Sequence, residues 1–145
     1  MTIGWLYNNK PNPNIDFIFY SIDLFEEYRM HNILVIDDEK TIVSILTMAL
    51  TKFGFNVETA GDGLEGIKKF DECNFDLVIT DICMPALDGN GVVKHIRNSE
   101  KRYTPVIGMS GTPWLLVNGD FDAVLSKPTS IKTLVDTVKN VTHPN

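Results

Sequence analysis

Ile33-Leu34-Val35-Ile36-Asp37-Asp38 is the stretch on which the reading of this chain turns. Side chains of a strand alternate between its two faces, so four consecutive apolar residues describe a strand covered on both sides. Such strands belong to parallel sheets sandwiched between helices. The run ends in two adjacent carboxylates, so the strand delivers a pair of acids to its own carboxyl end.

The pattern repeats downstream. Ile42, Leu46, Ala49, Leu50 and Phe53 fall on one helical stripe, and Gly54 stands where a left-handed C-cap belongs. Phe55 to Ala60 reads as a second strand. Asp62 to Asp71 reads as a helix with Leu64, Ile67 and Phe70 turned inward. Phe75 to Thr80 is the third strand, Val92, Val93 and Ile96 mark a third helix, and Val106 to Met109 is the fourth strand. Ala123-Val124-Leu125 is a brief fifth strand, followed by a helix on Ile131, Leu134, Val135 and Val138. Strict alternation predicts an α/β fold: a five-stranded, doubly wound, parallel sheet of the flavodoxin-like kind with helices on both faces. In that architecture chemistry sits beyond the carboxyl ends of the strands, at the topological switch point.

The bulk properties narrow the function classes. With 145 residues, 43% apolar and 22% charged, the chain has room for one ordered domain with a full-sized core. A net charge of −6 and a pI near 4.9, with no basic stripe, argue against a nucleic-acid partner. Cys73 and Cys83 lack CxxC spacing, which points to free thiols in a reducing cytoplasm. The most apolar early stretch, Ile15 to Phe25, is broken by Asp16 and Asp23 and falls short of the roughly 20 residues a membrane span needs. No membrane association is expected. Residues 1–29 stand outside the strand–helix pattern as an extension, either not native, with Met30 the true initiator, or a docking segment; residues 30–145 are the domain.

Four strand ends carry the chemistry. Asp37-Asp38 follow strand one, Asp81 follows strand three, Ser110 follows strand four, and Lys127-Pro128 follow strand five. All four lie on one rim of a parallel sheet. Three carboxylates gathered there repel one another until a cation or proton offsets them. Mg²⁺ suits such a set, being a hard ion that takes carboxylates, water and phosphate oxygens. Lys127 and Ser110 add a positive charge and a hydroxyl. A carboxylate nucleophile, a metal and donors for phosphoryl oxygens are the parts of a phosphoryl-transfer site. Any one of these residues alone reads as an ordinary turn or cap residue; the ordered set points to chemistry. Asp88-Gly89 reads as a helix-start turn, and the Cys83 side chain as packing. His31, His95 and His143 follow no ligand spacing and are assigned to the surface.

Asp37-Asp38, the run Asp81-Ile82-Cys83-Met84-Pro85-Ala86-Leu87-Asp88-Gly89, Ser110-Gly111 and Lys127-Pro128 together resemble the motif set of response-regulator receiver domains of two-component signalling, here of the single-domain type. Ala60-Gly61-Asp62-Gly63 fits as well, and the resemblance spans about Asn32 to Val141. It implies that Asp81 is the phospho-acceptor. It further implies that Asp37, Asp38, Asp81 and the Cys83 backbone carbonyl hold Mg²⁺ (or Mn²⁺), Asp37 mainly through water. Ser110 and Lys127 would bind the phosphoryl group, Thr112 would tune hydrolysis, and the Lys127–Pro128 bond would be cis. The implied donor is a histidine kinase or a histidine-containing phosphotransfer protein. Catalysis would be limited to the protein's own phosphorylation and dephosphorylation. With the last helix running almost to Asn145, output is expected through a protein target or onward phosphotransfer.

Two departures stand out. Only thirteen residues, Ser110 to Asp122, link strands four and five, so the fourth helix must shrink to a turn near Trp114–Val117 or vanish. Val124 occupies the position where relatives commonly carry a switching aromatic; Phe121 or Trp114 are the available substitutes. A shortened helix would leave apolar sheet surface for the 15–25 segment or a second subunit to cover, which makes a homodimer possible. The second reading is therefore a degenerate receiver that acts as a phosphorylation-independent adaptor. A metal-dependent phosphatase is a poorer third, because Cys83 stands where its second acid would be.

Overall fold

The computed structural model describes residues 30–112 and 120–143. In chain order these form β1 (Asn32–Ile36), α1 (Lys40–Lys52), β2 (Asn56–Ala60), α2 (Gly63–Glu72), β3 (Leu77–Asp81), α3 (Gly89–Arg97), β4 (Val106–Ser110), β5 (Ala123–Ser126) and α4 (Ile131–Thr142). All pairings are parallel and the strand order is β2-β1-β3-β4-β5. This is the flavodoxin-like doubly wound sheet, with its order reversing between β1 and β3.

The continuous apolar run divides as the pleat requires. Ile33 and Val35 join Leu46, Leu50, Ile79, Ile107, Leu134 and Val138 on the face covered by α1 and α4. Leu34 and Ile36 join Phe70, Val78, Val92, Val93, Ile96 and Val106 on the other. Each fully buried aliphatic side chain stabilises the fold by about 1.5–3 kcal/mol.

Local chemistry sets the helix ends. Asp62 caps α2 by accepting from the Glu65 amide at 2.8 Å, while Glu65 reaches back to the Gly61 amide at 2.9 Å, a near-reciprocal box. Asp88 caps α3 through the Gly91 amide at 2.8 Å, and Ser130 caps α4 through the Thr133 amide. Gly54 takes the expected left-handed conformation, φ +87°.

Several expectations are corrected. Leu64 is exposed, because Gly63 and Gly66 occupy the inward face of α2. A Cβ at Gly66 would lie 2.4 Å from Ile36 Cδ1, so the helix sits close enough to β1 that any side chain there would have to push Ile36 aside. Phe53 is half exposed and meets the Lys139 ammonium, 5.9 Å from its ring centre. Ile131 is exposed at the first position of α4, where no preceding turn lies beneath it. Asp81 and Ser110 are the last residues of β3 and β4, because the ladder extends to pair them with Met109 and Ser126. The expected short helix at 114–117 and the amphipathic stretch at 15–25 lie outside the described residues.

The chain re-enters β5 under tight restraint. The Arg97 guanidinium donates to the carbonyls of Arg102, Thr104 and Asp120 and ion-pairs with Asp122 at 2.8 Å. Asp122 also accepts from the Val106 amide at 2.7 Å. Phe121 then packs against Gly108, where a Cβ would come within 3.0 Å of its ring.

Candidate functional site

The acids converge as the strand ends require. Carboxylate oxygens of Asp37, Asp38 and Asp81 all lie within 4.8 Å of one another. Asp37 and Asp81 are buried and Asp38 is exposed, so the cluster opens to solvent on one side. Ile36 pairs with Thr80 across β1 and β3, which brings the residues that follow each to the same rim.

Lys127 projects into this cluster from the end of β5. Its ammonium is 2.8 Å from Asp37 Oδ2, 3.3 Å from Asp81 Oδ1 and 3.6 Å from Glu39 Oε1. Burial works against the Lys127 charge, but the hydrogen bond and charge of Asp37 and the charge of Asp81 outweigh it and raise its pKa. Burial, then the neighbouring Asp37 charge, push the Asp81 carboxyl above the ordinary carboxylate range, with Lys127 opposing. Asp37 Oδ1 is oriented by the Glu39 amide at 2.9 Å.

Beside the acids lies a cleft of ≈ 500 Å³ lined by Ile82, Cys83, Met84, Asp88, Asn90, Ser110 and Thr112. Ser110 is buried, and its Oγ accepts from the Thr112 amide at 3.0 Å. The Ser110 carbonyl accepts from the Lys127 amide at 2.8 Å, tying the two strand ends together. The Lys127–Pro128 bond is cis. Gly89 closes the back of the site: a Cβ there would lie 2.5 Å from the Asp81 carbonyl oxygen. Ala86, between them, adopts the left-handed conformation at φ +65°.

Asp37, Asp38, Asp81 and Lys127 are thus brought into one cluster, and Ser110, Thr112 and Cys83 share the adjoining cleft. The Cys83 side chain is exposed, a correction to the packing role expected of it, because the loop after β3 turns it toward the cleft. Glu39 was missed by sequence reasoning, although its place directly after the acidic pair was a usable signal. The donor set is all oxygen and largely carboxylate, which fits a hard divalent cation and does not fit a soft one.

The family model described as "Response regulator receiver domain" matches residues 33–139. The chain belongs to this family. Among solved structures, this receiver resembles response regulator TrrA of Thermotoga maritima, with TM-score 0.72 and 34% identity over 77% of this chain and 99% of that one. That protein was crystallised in complex with Mg²⁺-BeF. Chemotaxis protein CheY4 of Vibrio cholerae gives TM-score 0.70 and 28% identity over 78% and 99%. Among curated relatives, the receiver is 32% identical over 108 residues to the transcriptional regulatory protein TrcR of Mycobacterium tuberculosis, covering 71% of this chain and 42% of TrcR. It is 38% identical over 93 residues to PhoP of Bacillus subtilis, covering 64% and 36%. The receiver therefore spans less than half the length of these two relatives. No helix among the described residues is long and apolar enough to cross a membrane.

Proposed function

We propose that this receiver, residues 30–145, takes a phosphoryl group onto Asp81 from the phosphohistidine of a histidine kinase or phosphotransfer protein, and signals by protein–protein contact. The observation that carries the reading is the convergence of Asp81 with Asp37, Asp38 and the Lys127 ammonium on one rim of the sheet. An Asp81 oxygen attacks phosphorus in line. The P–N bond breaks, the imidazole leaves, and an acyl phosphate forms. Asp37, Asp38, Asp81 and the Cys83 carbonyl would hold Mg²⁺ (or Mn²⁺), which when bound supplies charge neutralisation for the phosphoryl oxygens. Lys127 moves its pairing from Asp81 to the new phosphate, and the Ser110 hydroxyl donates to it.

Hydrolysis of the acyl phosphate by an in-line water regenerates Asp81, and Thr112 lines the approach. The free thiols of Cys73 and Cys83 support a cytoplasmic setting. Incubation with acetyl phosphate and Mg²⁺ tests the reading. Wild type gains the mass of one phosphoryl group and Asp81→Ala does not. A phosphorylation-independent adaptor, the reading that the exposed Val124 favours, predicts no gain in either.

A further inference from the structure

Glu39 stands at the N-cap of α1, where a side chain ordinarily accepts a hydrogen bond from the first turn, and it makes no such bond. Asp62, Asp88 and Ser130 all cap their helices in that way. The Glu39 carboxylate turns instead to Lys127, with Oε1 3.6 Å from the ammonium. Its backbone amide meanwhile orients Asp37 Oδ1 at 2.9 Å. The amide thus positions one acid of the cluster, and the side chain adds a further negative charge at the rim.

That charge bears on the acceptor. Glu39 Oε1 and Asp81 Oδ1 reach the same ammonium, at 3.6 and 3.3 Å, so they stand no more than about 7 Å apart, inside the Debye length of about 8 Å at physiological salt. Of the three carboxylates that pair with Lys127 among the described residues, Asp37 and Asp81 are buried and Glu39 is exposed. A phosphoryl donor at Asp81 therefore enters the field of Glu39, and its oxygens compete with that carboxylate for the ammonium.

We propose that Glu39 is a specificity-determining residue of the acceptor site, one that disfavours free dianionic phosphoryl donors; the proposal rests on the assignment of Asp81 as acceptor. Repulsion across this distance at a largely aqueous rim slows reaction with a dianion several-fold. A donor whose leaving nitrogen is protonated carries one negative charge fewer and is slowed less. Phosphohistidine on a docked protein gains from surface contacts what a free ion lacks, so that route stays open. Glu39 touches no reacting atom. It acts through Lys127 and through its own field, as a positioning residue.

Two small donors separate these effects. With acetyl phosphate, an Asp81 oxygen bonds phosphorus, the P–O bond breaks, and acetate leaves with the electron pair. With phosphoramidate the P–N bond breaks and ammonia leaves, its nitrogen already protonated. Initial rates of mass gain on Asp81 of the full chain with Mg²⁺ test the proposal. Glu39→Gln keeps the amide that orients Asp37 and removes only the charge. It is expected to raise the acetyl phosphate rate about fivefold and the phosphoramidate rate about twofold, the first gain shrinking towards none in about 0.5 M KCl. Glu39→Asp, which keeps the charge, should stay within about twofold of wild type. Glu100→Gln loses the same charge from an exposed turn between α3 and β4, at the opposite ends of the strands, and keeps wild-type rates.

A purely structural role at the start of α1, where a carboxylate favours the helix dipole, predicts a lower urea midpoint and equal changes with both donors. Equal rates for wild type and Glu39→Gln, or a gain indifferent to donor and salt, overturn the proposal and leave Asp81 as acceptor. Labelling of neither protein by either donor removes the acceptor assignment itself, and this proposal with it.

Discussion

Lys127 is bound more closely to Asp37, at 2.8 Å, than to Asp81, at 3.3 Å. The ammonium is therefore anchored by the buried acid that is not the proposed acceptor. That division leaves Asp81 the less tightly paired carboxylate and keeps the cation in place when Asp81 changes its charge.

Replacing Lys127 by Met should expose this division. Removing one partner from a buried ion pair strands the remaining charge, at a cost of about 3 kcal/mol. Urea unfolding in EDTA at neutral pH should show that loss. Phosphoryl uptake from acetyl phosphate should fall at least tenfold in the same variant.

The raised Asp81 pKa fixes the sign of a pH effect. The folded protein holds the Asp81 proton at pH values where the unfolded chain, near its ordinary 3.8, has released it. Across that window the native state binds more protons, so this group's contribution to stability falls as pH rises from 3.8 through the folded pKa. In EDTA, Asp81→Asn should be more stable than wild type above the window, and the gap should close on acidification. Denaturant midpoints for both proteins across that range measure it.

A divalent ion should remove the same penalty. Mg²⁺ at about 100 times its dissociation constant stabilises the native state by about 2.7 kcal/mol through linkage. Thermal unfolding with and without Mg²⁺ should show the shift in wild type and little of it in Asp38→Ala.

Gly89 and Gly66 separate two kinds of close packing. A Cβ at Gly89 meets the Asp81 carbonyl and Ile82 Cα, which are backbone and cannot yield. At Gly66 it meets Ile36 Cδ1, the free end of a side chain. Gly89→Ala should cost about 2–3 kcal/mol and impair phosphoryl uptake by displacing Asp81. Gly66→Ala should cost about 1 kcal/mol and leave uptake near normal.

Arg97→Ala should cost about 1–3 kcal/mol, since three carbonyls and Asp122 lose their donor. The Asp37–Asp81–Lys127 cluster lies on other contacts, so acetyl phosphate should still label Asp81. Urea unfolding beside the labelling assay separates the two effects.

Much of the site was legible before folding because strands carry their sequence neighbours to a defined rim. Asp37, Asp38, Asp81, Ser110 and Lys127 each follow or end an apolar run, and a parallel sheet gathers such ends without further instruction. Leu64 and Cys83 were misread for the opposite reason. Their exposure depends on how closely α2 approaches β1, which Gly63 and Gly66 permit, and on how the loop after β3 turns, with Ala86 in the left-handed conformation. Glu39 was passed over because its role depends on the reach of Lys127, which belongs to another strand.

Apolar periodicity and the residues that punctuate it determined the α/β class, the parallel sheet and the gathering of acids at one edge, because these follow from pleat, pitch and chain direction. Tertiary structure alone decided which acid holds Lys127, how Arg97 and Phe121 seat the return to β5, and that Glu39 reaches the Lys127 ammonium. Those are contacts between side chains far apart in sequence, and their distances exist only once the layers have packed.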